Sequence, residues 1–140
     1  MRTILIAQRD AAYATALTAE LRSWGHRVID CPGPLPPALR CSRCDKGYCP
    51  LSEGADLMIY DPQLVALDEV GQTHNLAIDS ALAHPDVPML LTWPSQTPPD
   101  VGTLRVIHIA APWVHVASRT PDILKRQIHD LLMSASVAVT

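Results

Sequence analysis

The sequence has no basic surplus and no long apolar run, its opening is not expected to be an export leader, and each of these narrows the class of function. Across 140 residues, 11 Lys and Arg stand against 14 Asp and Glu, a formal net charge of -3. Nonspecific nucleic-acid binding depends on cationic side chains that displace counterions from phosphates, so this balance argues against a nucleic-acid partner. No stretch approaches the roughly 18 apolar residues of a membrane span. The opening Met1 to Ala7 runs into polar Gln8-Arg9-Asp10 without a small-residue cleavage site, and it reads as a first strand. The expectation is a cytoplasmic chain in a reducing compartment, where four cysteines more often serve metal or redox chemistry than disulfides. No internal repeat or low-complexity tract is visible. His26, His74, His84, His108, His115 and His129 show no paired spacing of the HExxH kind and read as surface or edge residues.

What is present suits a single domain over 1–140, with 48% apolar and 18% charged residues. Thr3 to Ala7 is a β-branched apolar run of the kind found inside parallel sheets. Asp10 stands where a helix N-cap belongs, and Tyr13, Leu17, Leu21 and Trp24 follow as one helical stripe that Gly25 ends. His26 to Cys31 and Asp56 to Tyr60 read as second and third strands, and Gln72 to Ala83 as a helix ending before His84-Pro85. Pro88 to Thr92 reads as a fourth strand and Arg105 to Ala110 as a fifth, in which a buried, hydrogen-bonded His108 is the alternative to a surface one. Pro94 to Gly102 leaves room for one helical turn at most. Thr120, Pro121 and Asp122 open a last helix that buries Leu124, Ile128, Leu131 and Leu132. This alternation predicts an α/β doubly wound parallel sheet of five strands. A Cys/Pro-rich insert over 32–54 takes the place of the second helix.

The pattern outside the insert resembles the receiver domain of two-component response regulators. The residues that carry the resemblance are ADLMIYDP, with Asp61 at the phosphoacceptor position and Pro62 behind it, and VPMLLTW, with Thr92 at the hydroxyl position. Gly71 falls where that family often opens its third helix. The resemblance implies a flavodoxin-like strand order of 2-1-3-4-5 and a signalling role through protein contacts. It also implies a Mg²⁺ site held by two acids after the first strand and, separately, a lysine after the fifth that partners the phosphate.

The departures are chemical. Gln8 and Arg9 replace the acidic pair, only Asp10 remains as a third acid, and Ala111-Pro112 stands at the lysine position. Phosphoryl transfer to a carboxylate relies on a divalent cation bridging the attacking and phosphate oxygens. Arg9 repels such a cation and is placed to pair with Asp61, which makes Asp61, Thr92, Asp10 and Arg9 a vestigial pocket. A simpler reading leaves Asp61 capping a turn with Arg9 in water. Trp93, beside Thr92, would plug the pocket mouth or merely pack.

Cys31, Cys41, Cys44 and Cys49 are spaced C-x9-C-x2-C-x4-C. Two thiolates from the CSRC turn and one from either side can complete a tetrahedron around Zn²⁺. Arg40, Arg43 and Lys46 would offset the negative charge of four thiolates. The insert has little apolar material, so a metal would supply its folding free energy. An iron–sulfur cluster, a redox-active CxxC dithiol and cysteines without metal remain open alternatives. With strand one between Cys31 and Asp61, two strand spacings of roughly 10 Å separate the metal loop from the pocket. The expected function is therefore a non-enzymatic regulatory module with a structural zinc site of four cysteines, the alternatives being an iron–sulfur redox or gas sensor and a phosphoaccepting stand-alone response regulator. It would bind a protein partner, or a second copy of itself, through the face from the fourth strand to the fifth helix, where Trp113-Val114 forms an apolar patch.

Overall fold

The computed structural model describes residues 2–31, 53–68, 70–94 and 100–139. Most of the Cys/Pro-rich insert, with Cys41, Cys44 and Cys49, lies outside the described residues. So does the expectation that this loop replaces a helix.

The described chain runs β1 (Thr3–Ala7), α1 (Ala11–Ser23), β2 (Arg27–Cys31), β3 (Leu57–Tyr60), β4 (Val65–Leu67), β5 (Thr73–Asn75), α2 (Leu76–Ala83), β6 (Met89–Leu91), α3 (Val101–Ala110), β7 (His115–Val116) and α4 (Pro121–Val139). Five strands form one parallel sheet in the order β2-β1-β3-β6-β7, and β4 and β5 form a separate antiparallel hairpin. Strand side chains alternate between faces, so a strand apolar at every position supplies two cores at once. Leu5, Ala7, Met58, Tyr60, Met89 and Leu91 pack on the side of α2 and α3. Ile4, Ile6, Leu57, Ile59 and Leu90 pack on the side of α1 and α4. A one-residue slip of β1 would exchange these sets, which fixes its register against both neighbours.

Helix ends follow local chemistry. Asp10 accepts from Tyr13 N at 2.9 Å and starts α1. Gly25, at φ 93°, ends it as His26 N reaches Leu21 O and Gly25 N reaches Arg22 O. In α4, Leu124, Ile128 and Leu132 are buried as the stripe predicts.

Three expectations need correcting. Arg105 to Ala110 is not the fifth strand but the second half of α3, which opens at Val101; of the segment Pro94 to Gly102, residues 95–99 lie outside the described residues. Asp100 caps this helix by accepting from Thr103 N at 3.2 Å, and Leu104, Ile107 and Ala111 turn inward at helical spacing. His108 therefore sits on a helix, half-buried, its Nε2 3.2 Å from Val114 O. The edge strand is instead His115–Val116, paired with Leu90 and Leu91. Gln72 to Asn75 is not helical: Gly71, at φ 85°, turns the β4–β5 hairpin, and α2 begins only at Leu76. Finally, because β7 lies later than expected, the residue that follows the last strand is Ala117, not Ala111, and Ser118 follows it in place of Pro112. Either way an alanine stands there.

Candidate functional site: a closed pocket at the carboxyl ends of the strands

All five sheet strands are parallel, so the residues following β1, β3, β6 and β7 gather at one edge, where doubly wound folds place their ligands. Asp61 follows β3 and is fully buried. Its Oδ2 accepts from Arg9 Nε at 2.8 Å and its Oδ1 from Gln63 N at 2.9 Å. The second bond is local: an aspartate accepting from the amide two residues on forms a turn, and Pro62 presets the backbone at its centre. Arg9 is 42% exposed on its outer side and also donates to Gln63 Oε1 at 2.9 Å.

Gln8 is buried at the base of the pocket. With its amide turned to satisfy both polar ends, it donates to Thr92 O at 3.2 Å and accepts from Asp61 N at 3.3 Å. It joins the ends of β3 and β6 through neutral bonds. The Thr92 hydroxyl is also engaged, lying 2.6 Å from the Tyr13 hydroxyl. Burial raises the Tyr13 pKa, partly offset by this bond to Thr92. Trp93 is buried beside them, with the Arg119 guanidinium 4.7 Å above its ring. Among the residues expected from sequence, Asp61, Thr92 and Arg9 meet in the pocket. Asp10 points instead to the α1 N-terminus.

A divalent cation does not fit this arrangement. Mg²⁺ takes oxygen ligands in octahedral geometry, of which a protein usually supplies one or two free carboxylates. Here the one buried carboxylate already holds a guanidinium, Gln8 is turned to backbone groups, and Asp10 caps a helix. Cys31 ends β2 half-buried, next to Ala7 across the ladder.

Sequence reasoning missed Tyr13, Gln63 and Arg119 as members of the site. Tyr13 had a visible signal: three residues after an N-cap, it lies in the first helical turn after β1, beside the carboxyl edge. Gln63 had none.

A second charged cluster lies on the hairpin. His74 Nε2 is 2.9 Å from Asp68 Oδ2, and His74 Nδ1 is 3.2 Å from Asp79 Oδ2 on α2. An imidazole can donate from both nitrogens only when protonated. The Asp68 bond, chiefly, raises the His74 pKa, and the same bond lowers that of Asp68.

No family model matches the sequence, and no curated protein matches it. Solved structures do resemble the fold. A response regulator receiver domain protein from Clostridium thermocellum superposes with a TM-score of 0.67 at 12% identity, over 99% of each chain. A CheY-like receiver domain protein from Methanospirillum hungatei gives 0.68 at 14%, over 99% of this chain and 98% of that one. A putative pilus assembly-related protein from Burkholderia pseudomallei gives 0.62 at 22%, over 95% and 90%. The chain has the receiver fold. No helix among the described residues is long and apolar enough to cross a membrane.

Proposed function

We propose that this is a non-enzymatic regulatory module of the receiver fold, working in the cytoplasm through protein contacts, with its phosphoacceptor position held in one state. The observation that carries the reading is the 2.8 Å bond from Arg9 to the fully buried Asp61 carboxylate. It places a fixed cation where phosphoryl transfer needs a mobile, multiply coordinated one. Ala117 supplies no ammonium to receive a phosphate, and Tyr13 already holds the Thr92 hydroxyl. The likeness to receiver structures supports the signalling class. The contact face is α3, β7 and α4, where Val106, Ile109, Trp113 and Val116 are each exposed, Ile109 to 76%; Val114, expected in the patch beside Trp113, is buried. Incubation with a small-molecule phosphodonor and Mg²⁺ tests the locked state. The intact mass stays unchanged, and a stoichiometric adduct on Asp61 overturns the reading.

The same proposal assigns a Zn²⁺ to Cys31, Cys41, Cys44 and Cys49. Its support is the C-x9-C-x2-C-x4-C spacing and the seat of Cys31 at the carboxyl end of β2, the edge that carries the pocket. Metal analysis of protein purified without oxygen gives one zinc per chain. A brown protein absorbing near 400 nm carries an iron–sulfur cluster instead and is a redox or gas sensor.

A further inference from the structure

Gln63 touches three charged groups that belong to three different parts of the chain. Its backbone N–H donates to Asp61 Oδ1 at 2.9 Å, and its side-chain Oε1 accepts from the Arg9 guanidinium at 2.9 Å. Its Nε2 donates to Asp100 Oδ2 at 3.4 Å, the longest link in the chain of bonds. The other oxygen of Asp100 caps α3 through Thr103 N, and Asp100 O accepts from Leu104 N at 3.0 Å. An amide has one accepting and one donating end, and only one orientation serves a cation on one side and a carboxylate on the other. The reverse would set oxygen against carboxylate and N–H against guanidinium.

We propose that Gln63 is a positioning residue, which couples the Arg9–Asp61 pair to the N-terminus of α3 and so sets the seat of the helix whose outer face carries Val101, Val106 and Ile109. This rests on the locked-pocket reading and deepens it: the fixed pair is the anchor of a helix, not only the stopper of a site. Asp100 is exposed and the final bond is long, so the coupling is modest. Its direction is clear. Loss of the Arg9 fork leaves Oε1 without its donor, the amide is free to turn, and the Asp100 cap loses its second partner.

A lysine at position 9 keeps a charge for Asp61 but has no planar fork to reach Gln63 as well. The test is amide hydrogen exchange in the full-length protein, read at Thr103 and Leu104 and, as the control for the fold, at Ile59 in the central strand. Arg9→Lys accelerates exchange at Thr103 and Leu104 about fivefold, the size expected of one partly exposed charge-assisted bond, with Ile59 unchanged. In a Gln63→Ala background the same substitution has no further effect on α3, because the link is already cut. The proposal is overturned if Arg9→Lys leaves Thr103 and Leu104 unchanged. It is equally overturned if the acceleration persists in the Gln63→Ala background, or if Ile59 accelerates in proportion. The phosphodonor experiment is independent of these readings: an adduct on Asp61 defeats the locked pocket whatever α3 does, and a failed exchange cycle leaves the locked pocket standing.

Discussion

Two ion-pair clusters among the described residues, one in the pocket and one on the hairpin, differ in the property that decides whether a contact can be switched. In the pocket, a guanidinium meets a carboxylate with no exposure to water. On the hairpin, an imidazole lies between two carboxylates that water reaches. A guanidinium keeps its charge at every pH a folded protein meets, whereas an imidazole changes charge near neutrality. The first cluster is a permanent fitting and the second a titratable one. A receiver fold can thus carry a fixed ion pair at the carboxyl edge of its sheet and an adjustable one at its periphery.

The sharpest way to break the contrast is to remove the permanent cation. Arg9→Ala leaves the buried Asp61 carboxylate with a single donor and lowers unfolding free energy by about 2 kcal/mol in urea titration. The figure is kept below that of a fully buried pair because Arg9 is half in water. Asp61→Asn in the same chain recovers part of the loss, since a neutral amide needs no counter-charge. A double variant no more stable than Arg9→Ala would show that the pair does not hold the pocket.

Tyr13→Phe is the next largest change. It removes the partner of a buried Thr92 hydroxyl and costs about 1 kcal/mol by the same titration. No measurable loss would mean that another acceptor or donor readily replaces the tyrosine.

The smallest effect belongs to the hairpin and is one of pH. The folded pKa of His74 is raised, so its contribution is fully present below the ordinary histidine value and is lost as pH rises through the folded value. Exchange at the hairpin amides of Val70 and Gln72, which Asp68 holds, therefore accelerates on alkalisation beyond the intrinsic pH dependence. His74→Gln abolishes that extra slope while the pocket stays insensitive. An equal slope in wild type and variant would remove His74 as the titrating group.

Much of the fold is legible in the chain because its signals are local. The two-sided runs at Thr3 to Ala7 and Leu57 to Tyr60 specify buried parallel strands, and Asp10 and Gly25 bracket α1. Asp61, Thr92 and Arg9 are legible too, since each directly follows or ends a run whose place in the sheet is clear. Arg105 to Ala110 misleads because β-branched residues there satisfy a period of two as well as a helical one. The deciding feature is the Asp100 cap, set against a helix with only Ile107 fully buried along its length. The β4–β5 hairpin is held by Asp68 and by His74, pairings that involve no apolar periodicity. Gln63 acquires its importance solely from three groups brought together by folding, and no spacing in the sequence announces that.

The stacking of Arg119 on Trp93 has a practical consequence. Trp93 adjoins Thr92 and is one of only three indoles in the chain, beside Trp24 and Trp113. With those two replaced by phenylalanine, the remaining emission becomes a built-in optical gauge of the pocket. Light from a covered indole shifts to the red when its guanidinium roof lifts, so opening of the site can be followed in real time without attaching a dye.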